Sequence, residues 1–255
     1  MTDQAIDLSL VIPCYNEETI LRESISEVVT LLTSTSFTYE IILIEDHSKD
    51  NTLEIARGLL KQYEHVNMRL ICHEKNQGRG KAVKDGILAS SGEVVGFIDI
   101  DLEVAIHNIL PLITLIRQGY HVATGMRFNK IIATRRWITS RGYSWLVDKL
   151  LGVDIKDTET GCKFFNREAV LPVLKKTQDP HWFWDTEIMV RSYYEGLKIV
   201  EYTVLFIRRP EVPSTVRLIR DSFYSFIKLW QFRSVAAEYR RNESDNPKAI
   251  PPAQQ

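Results

Sequence analysis

Cysteine is scarce in this sequence. The three residues, Cys14, Cys72 and Cys162, are odd in number and scattered without metal-ligand spacing, so they imply reduced thiols in a cytosolic compartment. No apolar run approaches the ~18–20 residues that cross a bilayer. The first residues, Met1-Thr2-Asp3-Gln4, have neither the basic nor the apolar region of a signal peptide. The chain is therefore expected not to span a membrane by itself, with peripheral contact left open. An excess of one charge is also missing. With 32 Lys and Arg against 33 Asp and Glu, nothing drives the whole chain toward nucleic acid, and anion binding must come from local clusters. Internal repeats and long linkers are absent too.

What is present is a globular composition, 44% hydrophobic and 25% charged over 255 residues, enough for a sizeable core. Leu8 to Pro13 reads as a buried strand. It breaks at Pro13-Cys14-Tyr15-Asn16 into a helical pattern through Leu32, opened by Glu17 and Glu18, whose charges suit a helix start. This first turn lacks the glycines and bare helix end that a dinucleotide's pyrophosphate needs. It suits a base or ribose and repels a diphosphate. Nor is it a glycine-rich triphosphate loop, which argues against a nucleotidyltransferase.

Glu40 to Glu45 is a second strand, ending in Glu45-Asp46-His47-Ser48-Lys49-Asp50. Ser48 or Asp50 is the expected N-cap of the following helix, and Asp46 is free to accept hydrogen bonds from a base. Met68 to Cys72 is a third strand. Asn76-Gln77-Gly78-Arg79-Gly80-Lys81 then turns into a helix through Ala89, either a weak phosphate loop or a glycine turn with solvated basic residues. A helix over Ile106 to Arg117 and a strand over Tyr120 to Thr124 follow. Strands alternating with helices mark an α/β fold with a mainly parallel central sheet. The second half brings a basic, aromatic helix from Arg135 to about Leu151, a turn and short strand over Asp157 to Phe165, and a helix start at Trp182-Phe183-Trp184-Asp185. A strand over Lys198 to Arg208 and a long helix from Thr215 to Tyr239 complete it. In that helix Ile219, Phe223, Phe226, Ile227 and Trp230 form an apolar stripe, read as core packing with a basic flank toward a membrane surface. Residues 241–255 form a polar tail expected to be disordered.

The stretch that organises the chain is Gly96-Phe97-Ile98-Asp99-Ile100-Asp101-Leu102-Glu103. If it stays extended, Asp99, Asp101 and Glu103 share one face. Three carboxylates facing one way call for a hard cation, Mg²⁺ or Mn²⁺, that also takes phosphate oxygens. The local alternative is a solvated acidic strand end. Acids at the carboxyl end of an α/β strand nevertheless lie where open sheets bind ligands.

Taken in order, the IPCYNEE, EDHSKDNT and NQGRGKA segments and the DID strand end resemble the inverting family 2 glycosyltransferases of GT-A fold. The likeness covers roughly Leu8 to Arg127. The second half is similar to the subgroup of dolichyl-phosphate mannosyl- and glucosyltransferases, through Gly125-Met126-Arg127, Arg136 with Ser140, Asp157 to Phe164, and Ser214 to Ser222. The resemblance implies one GT-A domain over residues 1–240, with a nucleotide-binding half over about 8–127 and an acceptor-binding half over about 128–240. It implies that Pro13, Tyr15, Glu17 and Asp99 line the nucleotide-sugar pocket, that Asp46 reads the base, and that Gly78 approaches the nucleotide. Asp99, Asp101 and Glu103 would surround the cation, where many such enzymes have glutamine in place of Glu103. Arg127, Arg136, Ser140 and Arg217 would hold an acceptor phosphate. Many relatives carry C-terminal transmembrane helices; none is expected from these residues, which leaves membrane attachment open.

The implied reaction moves a hexose from a GDP-mannose- or UDP-glucose-type donor to a polyprenyl phosphate. A monophosphate with a second pKa of roughly 6 attacks unaided, whereas a hydroxyl acceptor needs a base worth about 10²- to 10⁴-fold. Asp185 is the candidate for that base; with a phosphate acceptor it orients the sugar or caps the helix. The competing readings are transfer to a hydroxyl and an inactive nucleotide-sugar-binding protein. The expected setting is cytoplasmic, peripheral on a membrane or on a membrane-protein partner, with no nucleic acid bound.

Overall fold

A computed structural model of the chain describes residues 5–128, 135–207 and 218–245, with side chains described except at 135–141, 218–222 and 242–245. Its strands are β1 (Leu8–Cys14), β2 (Tyr39–Glu45), β3 (Met68–Cys72), β4 (Val94–Ile98), β5 (Val122–Phe128), β6 (Cys162–Asn166) and β7 (Ile199–Leu205). The helices are α1 (Leu21–Thr33), α2 (Thr52–Gln62), α3 (Arg79–Ala89), α4 (Ile109–Arg117), α5 (Arg135–Leu151), α6 (Arg167–Lys176), α7 (Trp184–Tyr194) and α8 (Leu218–Asp245).

The seven strands form one sheet in the order β3-β2-β1-β4-β6-β5-β7. Neighbours are parallel except β6, which runs antiparallel to both β4 and β5. A strand from the second half thus separates two strands of the first, so the two halves share one sheet.

Period-2 alternation decides which residues face which layer. Leu8, Leu10 and Ile12 of β1, with Ile41, Leu43, Val94 and Ile98, pack against α1, α2 and α4. Val11, Ile42, Ile44, Val95 and Phe97 pack against α3, α5, α6, α7 and α8 on the other face. Burying each such side chain contributes about 1.5–3 kcal/mol. With both faces covered, the strands read as continuous apolar runs, as parallel strands do.

Several local expectations change. Helix α1 begins at Leu21, because Asn16 has φ 57° and Glu17 to Ile20 form a turn first. Glu17 and Glu18 therefore precede the helix. The N-cap position of α2 is Asn51, whose side chain makes no cap; Asp50 Oδ1 accepts instead from the Thr52 amide, the first of the helix, at 3.0 Å, and Ser48 does not cap it. Helix α6 was not foreseen; Pro172 disguises it, and the Asn166 side chain caps it by accepting from the Ala169 amide at 3.0 Å. Helix α8 continues to Asp245, so the start of the expected disordered tail is helical. Its buried side is Ser225, Leu229, Phe232 and Ala236, whereas Phe223, Phe226, Ile227 and Trp230 are exposed. Helical spacing identified that stripe correctly and gave it the wrong side; the side chain of Ile219 lies outside those described.

Candidate active site

The carboxyl ends of β1, β2 and β4 open onto one region. A non-glycine residue with positive φ follows each: Asn16 (57°), His47 (61°) and Leu102 (50°). Such conformations cost on the order of 1–3 kcal/mol each and collect where function requires them. The first two loops are laced together. The Asn16 amide donates to Ser48 Oγ (3.0 Å), the Glu17 amide to Thr52 Oγ1 (2.7 Å) and the Glu18 amide to Asp50 Oδ2 (3.1 Å). Ser48 and Asp50 thus fix the loop that carries Tyr15 and Glu17. Pro13 is buried in β1 opposite Ile44, leaving Tyr15 and Glu17 as the half-buried groups of its segment.

Asp46 is not free. It is 2% exposed. Its Oδ1 accepts from the Gln77 amide (2.8 Å) and meets His73 Nδ1 (2.7 Å), while Oδ2 accepts from the Gly78 amide (2.8 Å). His73 in turn meets Asp85 through Nε2 at 3.2 Å. The carboxylate expected to read a base therefore anchors the 76–78 loop. The Asn76 side chain and the Gln77 and Gly78 amides of that loop all donate to Asp46. The Lys81 amide donates to the Pro180 carbonyl at 3.0 Å, and the Lys81 ammonium pairs with Asp85. Gly78 has φ 96°, and a Cβ there would lie 2.2 Å from His181 Nδ1. Gly78 approaches His181 and Pro180 closely, which its lack of a side chain permits.

The strand β4 ends at Ile98, before the acids. The Leu102 amide donates to the Asp99 carbonyl at 3.2 Å, the Glu103 amide to Asp101 Oδ1 at 3.1 Å, and the Ile207 amide to the Glu103 carbonyl at 2.8 Å. The segment turns, so the extended alternation expected of Asp99, Asp101 and Glu103 does not hold. Among the described residues no three Asp, Glu, His or Cys side chains are arranged to hold a metal ion. The anionic cluster keeps Glu103, whose charge also raises Asp101, and gains Glu17. Asp101 is pushed up to about 7 by burial and then by Asp99. Glu17 is pushed up to about 8 by burial and then by Asp101 and Asp99. Glu17, Asp99 and Asp101 thus repel one another across the β1 and β4 ends, an all-oxygen set that a hard divalent ion would relieve. Two or three carboxylates leave most of a coordination shell open, which suits an ion shared with a diphosphate.

This cluster sets a pH dependence. In the folded chain Asp101 and Glu17 keep protons that the unfolded chain releases near 3.8 and 4.5. The folded state therefore binds more protons, and these two groups make stability fall as pH rises from about 5 to 8. A divalent ion held by these carboxylates would reverse that loss. Calorimetry should show Mn²⁺ raising Tm more at pH 8 than at pH 5, relative to EDTA; equal shifts at both pH values contradict the assignment.

Asp99 is clasped from two sides. Its amide donates to the Gly161 carbonyl at 2.9 Å, and a Cβ on Gly161 would fall 1.8 Å from Asp99 Oδ2. On the other side Arg79 Nε donates to Asp99 Oδ1 at 2.7 Å. Arg79 also reaches Asp185, in the first turn of α7, whose other oxygen takes Lys163 Nζ at 2.9 Å. Asp185 is 2% exposed with both oxygens in ion pairs, so accepting a proton would break one of them. Sequence reasoning did not single out Arg79, Lys163, His73 or Gly161. For Lys163 a signal existed: a lysine between Cys162 and Phe164 in a short apolar strand has to bury its charge.

Near the end of β5, Arg127 forms a two-point pair with Asp157 (Nε–Oδ2 2.7 Å, Nη2–Oδ1 2.8 Å). Burial pushes the Asp157 carboxyl up, but Arg127 holds it below its ordinary value. The Arg127 fork is thus already occupied by a carboxylate, contrary to the expectation that it holds an acceptor phosphate. Arg136 and Ser140 lie in α5 with side chains outside those described, and Arg217 lies outside the described residues.

The architecture matches solved structures at the level of the fold. Glucosyl-3-phosphoglycerate synthase from Mycobacterium tuberculosis, in complex with Mn²⁺, UDP-glucose and phosphoglyceric acid, superposes with a TM-score of 0.69 at 19% identity, covering 90% of this chain and 80% of that one. Among curated proteins, the glycosyltransferase AglD of Haloferax volcanii is 33% identical over 229 residues, 86% of this chain and 36% of that protein. The dolichyl-phosphate beta-glucosyltransferase of Homo sapiens is 30% identical over 218 residues, 77% of this chain and 66% of that protein. The chain thus spans about a third to two thirds of these curated relatives' length. Residues 9–173 match the family described as Glycosyl transferase family 2. With more than half of the chain inside that match and a GT-A sheet around the acidic β4 end, this protein belongs to glycosyltransferase family 2.

Proposed function

We propose that the chain transfers a glucosyl group, with inversion, from a UDP-glucose-type donor to a polyprenyl phosphate of the dolichyl kind. The observation that carries this reading is the convergence of the Glu17, Asp99 and Asp101 carboxylates at the paired ends of β1 and β4 in a family 2 fold. The names of the curated relatives favour a glucosyl donor and a dolichyl-phosphate acceptor. None of those relatives is named for mannose, so GDP-mannose is not retained.

Asp101 and Asp99 would hold a Mg²⁺ or Mn²⁺ ion, which supplies a Lewis acid for the diphosphate leaving group. Tyr15 and Glu17 flank the nucleoside end, with Asp46 shaping the pocket by fixing the 76–78 loop. A lipid phosphate with a second pKa of roughly 6 is already ionised at neutral pH and attacks without a base. Asp185, paired with Arg79 and Lys163, then orients rather than deprotonates, which leaves the hydroxyl-acceptor reading without a free base at that position. Arg136, Ser140 and Arg217 are the groups assigned to the acceptor phosphate, and arginine's planar fork suits that task.

No helix among the described residues is long and apolar enough to cross a membrane. The exposed face of α8 supports peripheral contact with a lipid surface. Phe223 is 65% exposed and Trp230 52%, and the Arg233 guanidinium lies 4.2 Å from the Trp230 ring. Aromatic side chains beside a basic group suit the boundary between acyl chains and anionic headgroups.

The test is a donor screen with Mn²⁺ and a polyprenyl phosphate presented in vesicles. UDP-glucose should give a lipid-linked glucose product and GDP-mannose at most a few per cent of that rate. Transfer from GDP-mannose alone, or only onto hydroxyl acceptors, contradicts the reading.

A further inference from the structure

Arg79 belongs to a glycine-flanked segment that looks like a solvated basic turn, yet its side chain points inward and is only 11% exposed. There it bridges two acids from distant elements. Nε donates to Asp99 Oδ1 (2.7 Å), and Nη1 pairs with Asp185 Oδ2 (2.5 Å). Lys163, fully buried, closes the far end on Asp185 Oδ1 at 2.9 Å. Alternating charges therefore run Asp99–Arg79–Asp185–Lys163, from the acidic end of β4 through α3 to α7 and β6. The Arg79 guanidinium carbon lies 5.3 Å from the Phe97 ring and 5.1 Å from the Trp182 ring, which hold its plane from two directions.

Removing these charges from water costs several kcal/mol per ion, so such a chain is a poor route to stability alone. It does fix geometry. Oδ1 of Asp99 is held by Arg79 while Oδ2 lies against the Gly161 backbone, so the carboxylate has one orientation. Nη2 of Arg79 also lies 2.7 Å from Asp99 Oδ1, but it is not aligned to donate there and, among the described residues, is a buried donor with no acceptor. Only a planar fork spans both carboxylates; a lysine has one point of charge.

We propose that Arg79 is a positioning residue for the donor site: it sets the Asp99 carboxylate toward the diphosphate end of the nucleotide sugar and locks that setting to α7 through Asp185. The inference rests on the donor assigned above and does not depend on the acceptor.

Arg79→Lys keeps the charge and removes the bridge. Titration calorimetry with UDP, with and without Mn²⁺, should show affinity for UDP in Mn²⁺ falling roughly 10- to 100-fold, as expected for losing a hydrogen bond to a charged group. Donor KM should rise correspondingly, with acceptor KM within about twofold of wild type. A variant that loses Tm yet binds UDP and Mn²⁺ like wild type, measured below its Tm, shows a merely structural role and overturns the inference. If Arg79→Lys does not fold, Trp182→Leu, which loosens the guanidinium without deleting it, carries the test: a smaller shift in the same direction supports the inference and none overturns it. Wild-type protein that binds neither Mn²⁺ nor UDP overturns the donor reading and this inference together, whereas unchanged binding in both variants overturns this inference alone.

Discussion

Asp101→Asn is expected to reduce glycosyl transfer by about 10³-fold, roughly 4 kcal/mol of transition-state stabilisation, without destabilising the fold. The bond between sugar and diphosphate breaks with negative charge growing on the leaving group. Asp101 is the acid at the β4 end whose carboxyl is pushed up to about 7, first by burial and then by Asp99. That shift also fixes the expected sign for stability. A carboxylate that the folded state disfavours costs stability once it ionises, so a neutral amide at this position should leave Tm at pH 8 equal to or above wild type. Activity and stability are thus expected to move in opposite directions. Retention of more than about a tenth of the activity, or a large fall in Tm, contradicts the role given to Asp101.

Gly161→Ala should cost nearly as much, for a steric reason. A methyl group at Gly161 would lie 1.8 Å from Asp99 Oδ2 and 2.4 Å from its carboxyl carbon. No side chain tolerates such a distance, so Asp99 must rotate away and break its bond from Arg79. The Asp99 amide bond to the Gly161 carbonyl ties the two backbones, which limits any other escape. Arg79 is buried but the Asp99 side chain is 32% exposed, so loss of their charge-assisted hydrogen bond costs about 1.5–3 kcal/mol. The expected results are a fall in activity of at least 10²-fold and a Tm lowered by several degrees. Wild-type UDP affinity in the Ala variant would show that the orientation of Asp99 does not matter to the donor.

Much of the first half was legible because parallel strands covered on both faces are continuous apolar runs, and β1, β2 and β4 are such runs separated by helical periodicity. The antiparallel insertion of β6 was not legible. Residues 162–166 alternate like any strand, and nothing in their period names β4 and β5 as partners. The stripe on α8 shows the same limit from another side. Phe223, Phe226, Ile227 and Trp230 have helical spacing, but so do Ser225, Leu229, Phe232 and Ala236, and only the position of α5 and α7 decides which set is covered.

At the site, the acids of β4 were readable as a cluster, but their geometry was not, because the positive φ of Leu102 turns a segment that alternation treats as straight. Glu17 joins that cluster from β1, a proximity created by the parallel pairing of β1 with β4. Asp46 and Arg127 carry the expected charge in the expected place, yet each is spent on the protein itself, Asp46 on the 76–78 loop and Arg127 on Asp157. Pairs such as Arg79 with Asp185, separated by 106 positions, leave no local mark in a sequence.

The most direct test of the account is the divalent-ion dependence of transfer from UDP-glucose to a polyprenyl phosphate, assayed with the wild-type chain in EDTA and after adding back Mn²⁺. A chain that uses the Glu17, Asp99 and Asp101 cluster in this way makes no detectable product in EDTA and recovers fully with Mn²⁺. Undiminished product formation after thorough chelation would contradict it.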